Sequence, residues 1–163
     1  MARSICLCGE VVWEFEGDLE LVSHCHCGMC RKSHGVGYAT YGAADAASFR
    51  FVAGEEHVSR YESSPGSFRS FCSLCGSKAP GVPTGDRIFV PLGNLEDDPG
   101  ARPEMHIFVG SKAPWHPITG DLPQHDAFPP GWPDPGIVRP EPGRGGVRGR
   151  SAAAVCAAAR PSR

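Results

Sequence analysis

Three cysteines lie close together in the segment HCHCGMCRKSHG, residues 24–35. They are Cys25, Cys27 and Cys30, and their spacing is CxCxxC. Thiolate sulfur binds zinc, and a tight turn presents closely spaced cysteines to one ion. A structural zinc site takes four ligands in a tetrahedron, whereas a catalytic site keeps one position for water or substrate. The triplet is therefore one protein ligand short of a closed site.

Four further cysteines form two pairs that are far apart in the sequence. Cys6 and Cys8 form CxC, and Cys72 and Cys75 form CxxC. A glycine follows each pair and suits the positive φ that such turns often need. Together the pairs supply the four ligands of a closed zinc site, which would join the N-terminal segment to the middle of the chain. The eighth cysteine, Cys156, is predicted to bind nothing.

The fourth position beside the triplet has several candidates on spacing alone. His24, His26 or His34 could complete a second closed site. In an extended segment His26 points away from its two cysteine neighbours, whereas His34 could reach back over one helical turn. Metal-free thiols and an iron–sulfur cluster fit less well, because adjacent thiols capture zinc and a cluster needs a fourth ligand. Spacing leaves the open site barely ahead of the closed one.

An open site with three thiolates is suited to binding an incoming thiol. Zinc holds such a thiol as thiolate near neutral pH, and the thiolate can attack a small electrophile such as an aldehyde carbonyl. Arg31 and Lys32 directly follow the last cysteine of the triplet. They are candidates for binding an anionic substrate, and they fit equally well as ordinary exposed charges on a turn.

Short β-strands are predicted to position these cysteines. High glycine and proline contents (21 and 16 residues) favour many turns, and one helical turn is predicted near 29–34. Alternation in LELVSHC places Leu19, Leu21, Ser23 and Cys25 on one face. The fold class is therefore predicted as all-β, with small antiparallel sheets and metal knuckles. The strand candidates cover residues 10–17, 19–25, 36–41, 49–52, 57–61, 67–71, 87–93 and 105–110.

The length of 163 residues favours one domain, predicted over residues 1–132. Residues 133–163 are rich in Pro, Gly, Arg and Ala without a period, which predicts a disordered tail. The last 25 residues carry +5 and the first 138 carry −7, and an acidic body argues against a nucleic-acid partner. The sequence lacks a membrane-length apolar run and an apolar signal region, so a cytoplasmic protein with metal-binding cysteines is predicted.

Four segments together resemble the glutathione-dependent formaldehyde-activating enzyme family, which includes centromere protein V. They are SICLCGEV, SHCHCGMCRKSHG, YESSPGSFRSFCSLCGS and HIFVGSKAPWHPITGDLPQ, and the resemblance spans residues 4–130. It implies a zinc-stapled β-tent fold with two zinc ions per chain. The implied ligands are Cys6, Cys8, Cys72 and Cys75 for a structural zinc, and Cys25, Cys27 and Cys30 for a catalytic zinc.

The resemblance also implies an activity. The reaction attributed to the family is the condensation of glutathione with formaldehyde to S-hydroxymethylglutathione, classed with the carbon–sulfur lyases. Glutathione or another small thiol and a small aldehyde are then the expected substrates. Two other functions fit the same residues: a non-catalytic zinc-binding interaction module, and a zinc–thiolate redox sensor.

Overall fold

The computed structural model describes residues 1–132, and the predicted tail and Cys156 lie outside the described residues. These residues form ten strands, one α-helix and three short 3-10 turns. The strands are β1 (Ala2–Ile5), β2 (Val12–Phe15), β3 (Glu20–Cys25), β4 (Ala39–Asp45), β5 (Arg50–Ala53), β6 (Val58–Ser64), β7 (Ser67–Cys72), β8 (Arg87–Pro91), β9 (Met105–Ile107) and β10 (Gln124–His125). The α-helix is α1 (Gly28–His34), and the 3-10 turns are Glu55–His57, Leu92–Asn94 and Val109–Ser111.

The strands form three small sheets. One is antiparallel with the order β1-β2-β5, and another is the β6–β7 hairpin. The largest has the order β10-β9-β3-β4-β8, in which β9 runs parallel to both β3 and β10 while the other pairs are antiparallel. The prediction of a mainly β fold made of small sheets is confirmed, and the parallel pairs of β9 depart from the antiparallel sheets that were expected.

The main core lies between the three-stranded sheet and the five-stranded sheet. Trp13 is 1% exposed and packs against the rings of Phe15 and Phe49, with centroids 6.3 and 6.0 Å away. Full burial of apolar side chains of this size contributes about 1.5–3 kcal/mol each. Two cysteines of the predicted four-ligand site, Cys6 and Cys72, belong to this core. The buried set is Cys6, Val11, Trp13, Phe15, Leu19, Val22, Ala44, Cys72, Ile88 and Val90.

A second, smaller core surrounds the cysteine triplet. Its buried members are Cys25, Cys27, Cys30, Ala39 and Ile107, and aromatic side chains from the last described segment pack against them. Because β3 is the central strand of the five-stranded sheet, the triplet at its end is held from both sides. None of the helices within residues 1–132 has the length and apolar character that crossing a bilayer requires.

Several elements differ from the predicted boundaries. β1 and β10 fall outside the predicted segments, because strands of four and two residues are too short to show a period. β4 was predicted to begin at residue 36, but it begins at Ala39. The helix α1 ends at His34, and Gly35 caps it in the left-handed conformation. The residues that follow Gly35 redirect the chain toward the sheet, so β4 starts later than predicted.

Candidate metal centres and the adjoining cleft

The first cysteine cluster joins two turns from distant parts of the chain. Cys6 and Cys8 follow β1, whereas Cys72 ends β7 and Cys75 follows it. The four Sγ atoms lie within 4.8 Å of one another, with 3.4 Å between Cys6 and Cys8 and 3.8 Å between Cys8 and Cys72. Sulfurs about 2.3 Å from a tetrahedral zinc lie about 3.8 Å apart, so this set fits one zinc ion.

The two turns have matching backbone hydrogen bonds. The amide of Gly9 donates to the carbonyl of Cys6 over 2.9 Å, and the amide of Gly76 donates to the carbonyl of Cys72 over 2.8 Å. Both glycines have positive φ, 86° and 78°, as their positions after the cysteines predict. The amide of Val11 also donates to Cys6 Sγ over 3.2 Å, which favours the thiolate form.

The electrostatics of this cluster call for a cation. Hydrogen bonds from the side chain and backbone of Ser77 lower the pKa of Cys75 to about 5. For Cys8 a backbone hydrogen bond at Glu10 acts in the same direction, but the neighbouring sulfurs outweigh it and raise the pKa to about 12. Four adjacent sulfurs therefore cannot all be deprotonated alone, and a divalent cation removes that conflict.

The second cluster lies where β3 leads into α1. Cys25 is the last residue of β3, Cys27 is the N-cap of α1, and Cys30 lies in the first turn of this helix. Their Sγ atoms lie within 4.8 Å of one another, and all three residues are buried. The amide of Cys30 donates to Cys27 Sγ over 3.3 Å, so the sulfur takes the usual place of a capping oxygen. Within residues 1–132, no further Cys, His, Asp or Glu ligand atom joins this group.

The charge of the triplet again points to a metal. The neighbouring sulfurs of Cys27 and Cys30, followed by burial, raise the pKa of Cys25 far above its ordinary value. Three buried thiolates require a cation among them, and zinc is one of the metal ions that sulfur ligands favour. The donor set thus fits zinc with three protein ligands.

The three nearby histidines have partners other than the triplet. Burial, reinforced by neighbouring imidazoles or cations, lowers the pKa of each to about 4, so each ring is neutral at pH 7. The structure does not bring the ring nitrogens of any of the three close enough to the triplet to act as its fourth ligand. Their contacts are His24 Nδ1 with Thr40 Oγ1 (2.8 Å), His26 Nε2 with His106 Nδ1 (2.9 Å) and His34 Nε2 with Tyr41 hydroxyl (2.6 Å).

A cleft of about 110 Å³ adjoins the triplet, and Cys25 and Cys30 contribute to its lining. Its other walls come mainly from the β6–β7 hairpin, from β8 with the preceding loop 79–84, and from the segment 128–132. Phe128 and Trp132 stack in this wall with their centroids 5.2 Å apart. A water molecule occupies about 30 Å³, so the cleft has room for a small ligand or for the reacting end of a larger one.

Arg69 brings a positive charge to the cleft. Its Nη1 donates to Cys30 Sγ over 3.8 Å, and its Nε donates to Ser63 Oγ over 3.0 Å. Its Nη2 is buried and has no hydrogen-bond partner among the described residues. Zinc with three thiolates carries a net charge of −1, which this guanidinium would offset. Lys78 lies near Arg69. Its pKa is lowered chiefly by burial and then by the positive charge of Arg69.

Arg31 and Lys32 are not part of the cleft lining. The Arg31 guanidinium donates to the carbonyl oxygens of His26 and Ser111 over 3.3 and 3.2 Å, and Lys32 is exposed. Their role in binding an anionic substrate stays a prediction, whereas the cation in the cleft is Arg69. Sequence reasoning did not single out Arg69, and its only signal is a position three residues before the CxxC pair.

Comparisons with known proteins agree with these features. The family model for glutathione-dependent formaldehyde-activating enzyme matches residues 1–111. A protein of Halomonas elongata named "Putative glutathione-dependent formaldehyde-activating enzyme" is 30% identical over 125 residues, which are 71% of this chain and 78% of the relative. A crystal structure of a Rhodobacter sphaeroides protein matches with a TM-score of 0.50 and 25% identity, covering 59% of this chain and 89% of that one. The chain therefore belongs to the glutathione-dependent formaldehyde-activating enzyme family.

Proposed function

We propose that this chain is a zinc-dependent carbon–sulfur lyase that forms or breaks an adduct between a thiol and a small aldehyde, of the S-hydroxymethylglutathione type. The observation that carries the proposal is the contrast between the clusters: one groups four sulfurs, and the other groups three beside a cleft. The names of the family and of the Halomonas relative point to glutathione and formaldehyde as the substrate pair. A cytoplasmic, reducing compartment would keep the cysteines available to metal.

Cys6, Cys8, Cys72 and Cys75 hold a structural zinc in this proposal. The ion links two turns separated by 64 residues along the chain, and the linked turns border the main core. Metal binding of this kind adds directly to the free energy of folding. In this proposal the residues around this cluster have a structural role and no catalytic one.

Cys25, Cys27 and Cys30 hold the second zinc. When bound there, zinc supplies a cation that keeps an incoming thiol deprotonated near neutral pH. β3 and α1 fix the positions of the three sulfurs, and Arg69 offsets their negative charge. The aromatic wall of Phe128 and Trp132 displaces water, which strengthens electrostatic interactions inside the cleft.

A Cys27→Ser variant tests the assignment. It is expected to keep its fold and one zinc per chain and to lose catalysis of adduct turnover, because only the second cluster is damaged. Metal analysis gives the zinc content, and exchange NMR on glutathione with formaldehyde measures turnover above the uncatalysed rate. Cys156→Ser is the matched control, since it removes the cysteine that the sequence assigns to neither cluster. Unchanged exchange catalysis by Cys27→Ser would refute the assigned role.

X-ray absorption separates the proposal from its two alternatives. On adding glutathione, the enzyme is expected to gain one sulfur ligand at its second zinc. Four protein ligands on each zinc without catalysis would instead identify an interaction module. Release of zinc from the triplet by mild peroxide, again without catalysis, would identify a redox sensor.

A further inference from the structure

We propose that Arg69 binds the carbonyl oxygen of the aldehyde and stabilises the alkoxide that develops there. This inference rests on the proposed function. In the forward step the thiolate sulfur bonds to the carbonyl carbon, and the π electron pair moves to the oxygen. The alkoxide then takes a proton from solvent, which replaces the proton that the thiol released, so the step needs no oxidant or reductant.

The first argument is the unused hydrogen-bonding capacity of Arg69. Two of its three guanidinium nitrogens have partners, Cys30 Sγ and Ser63 Oγ, and these fix its orientation. The third, Nη2, is buried and has no partner within residues 1–132. A buried donor of a charged group without a partner is costly. Arg69 lines the cleft, so a ligand oxygen that reaches Nη2 from there would remove this cost.

The second argument is the distance from the reacting atoms. Arg69 Nη1 lies 3.8 Å from Cys30 Sγ, which places the guanidinium beside the ligands of the ion that would bind the substrate sulfur. In the adduct, the oxygen is attached to the same carbon as that sulfur. The carboxylates of glutathione are separated from its sulfur by a peptide bond. A group this close to the triplet therefore suits the oxygen of the electrophile better than a carboxylate.

The third argument is the environment of the guanidinium. Apolar rings form much of the cleft, including Phe68, Phe89 and Phe128. A fixed cationic donor held among apolar rings stabilises developing negative charge more than the same group in bulk water. The lining therefore favours an uncharged aldehyde as the electrophile, with the Arg69 guanidinium beside it.

Arg69→Gln and Arg69→Lys test the proposal, with Arg60→Gln as the matched control. Arg60 is an exposed arginine of β6 that faces Ser70 in the register of the same hairpin. The glutathione–formaldehyde exchange is measured together with zinc content, zinc affinity by chelator competition and thermal unfolding. The same exchange is measured with mercaptoethanol, a thiol without carboxylates.

Arg69→Gln is expected to lower kcat about 10²-fold, the usual effect of losing one oxyanion donor. Arg69→Lys is expected to recover part of that loss, because it keeps the charge but not the planar fork. The KM for glutathione and the behaviour of Arg60→Gln are expected to stay close to those of the unmodified protein. Zinc affinity in Arg69→Gln is expected to fall by a much smaller factor than kcat. The kcat loss is expected with mercaptoethanol as well.

Three outcomes would overturn the proposal. An unchanged kcat in Arg69→Gln excludes the role directly. A loss of zinc affinity in proportion to activity would show that Arg69 only balances the charge of the sulfurs. A loss seen with glutathione and absent with mercaptoethanol would make Arg69 a carboxylate-binding residue. In all three cases Cys27→Ser is still expected to lose catalysis, so the proposed function survives the loss of the Arg69 role. If the unmodified protein does not catalyse the exchange, the proposed function fails as well.

Discussion

Replacing Gly54 with alanine tests how the main fold supports the four-cysteine cluster. Gly54 lies just after β5 with φ +69° and ψ 23°. A Cβ at this position would overlap the carbonyl oxygen of Glu10 and would lie 2.8 Å from its carbonyl carbon. That carbonyl belongs to the same peptide unit as the Val11 amide, which donates to Cys6 Sγ. Relieving the overlap is therefore expected to shift the Val11 amide, which donates to a cysteine of the cluster, from its present position.

Two costs add up in Gly54→Ala. The left-handed conformation costs a residue with a Cβ about 1–2 kcal/mol. Forcing a rigid backbone group aside costs about 1–3 kcal/mol more. Gly17 offers a matched control, because it has φ +84° and nothing within 4 Å of its ideal Cβ position. Gly17→Ala is thus expected to lose about 1–2 kcal/mol, and Gly54→Ala about 2–5 kcal/mol.

Urea unfolding of the two zinc-loaded variants measures this difference. With an m value of about 1–3 kcal/mol/M, Gly54→Ala is expected to unfold at a urea concentration lower than Gly17→Ala by about 1 M. Chelator competition is expected to show weaker zinc binding at the four-cysteine cluster in Gly54→Ala alone. Equal midpoints and equal zinc affinities in the two variants would refute the reasoning, since the peptide unit at Glu10 would then yield without cost.

Two further perturbations follow from buried polar groups. Because the pKa of His34 is about 4 in the folded protein and about 6.5 when unfolded, stability is expected to fall as pH drops from 6.5 to 4, by the order of 1–2 kcal/mol. His34→Gln should make that pH dependence shallower in thermal unfolding, while His24 and His26 continue to contribute to it. An unchanged slope would contradict the assignment. Glu14 is buried and pairs with Arg50 over 2.7 Å, so Glu14→Gln is expected to cost about 1–2 kcal/mol in urea unfolding. The exposed Glu16→Gln is expected to change stability by less than about 0.5 kcal/mol, and equal losses would contradict a role for burial.

Strands were predicted correctly where alternating residues lie on one face of the sheet. The prediction failed where an irregular residue shifts the following side chains to the other face. In LELVSHC, alternation placed Leu19, Leu21, Ser23 and Cys25 on one face. The structure keeps Ser23 and Cys25 together in the cleft, but Leu21 has φ +53° and lies at a register shift between β3 and β4. Through that irregularity Val22 joins Leu19 in the main core. A single left-handed leucine has no signature in a periodic pattern.

The grouping of the cysteines was predictable because the ligand spacing within each turn is local, and because a closed site needs four ligands, which joins the two distant pairs. The structure brings together the sulfurs that this reasoning assigned to each group. The competition between an open and a closed triplet could not be decided in this way. It depends on Thr40, Tyr41 and His106, which engage the nearby histidines and come from β4 and β9. Arg69 escaped notice for the same reason, since its contact with Cys30 spans 39 residues.

The two clusters are also connected through the strand that carries Arg69. A hairpin of two strands such as β6–β7 is only marginally stable alone in water. Here β7 ends at Cys72, inside the four-cysteine cluster, and the amide of Ser73 donates to the carbonyl of His57 at the start of the partner strand. A zinc held by that cluster would therefore fix the end of β7, three residues from Arg69. The structural ion would thus set the position of the guanidinium against Cys30, so the four-cysteine site would contribute to the geometry of the cleft as well as to folding.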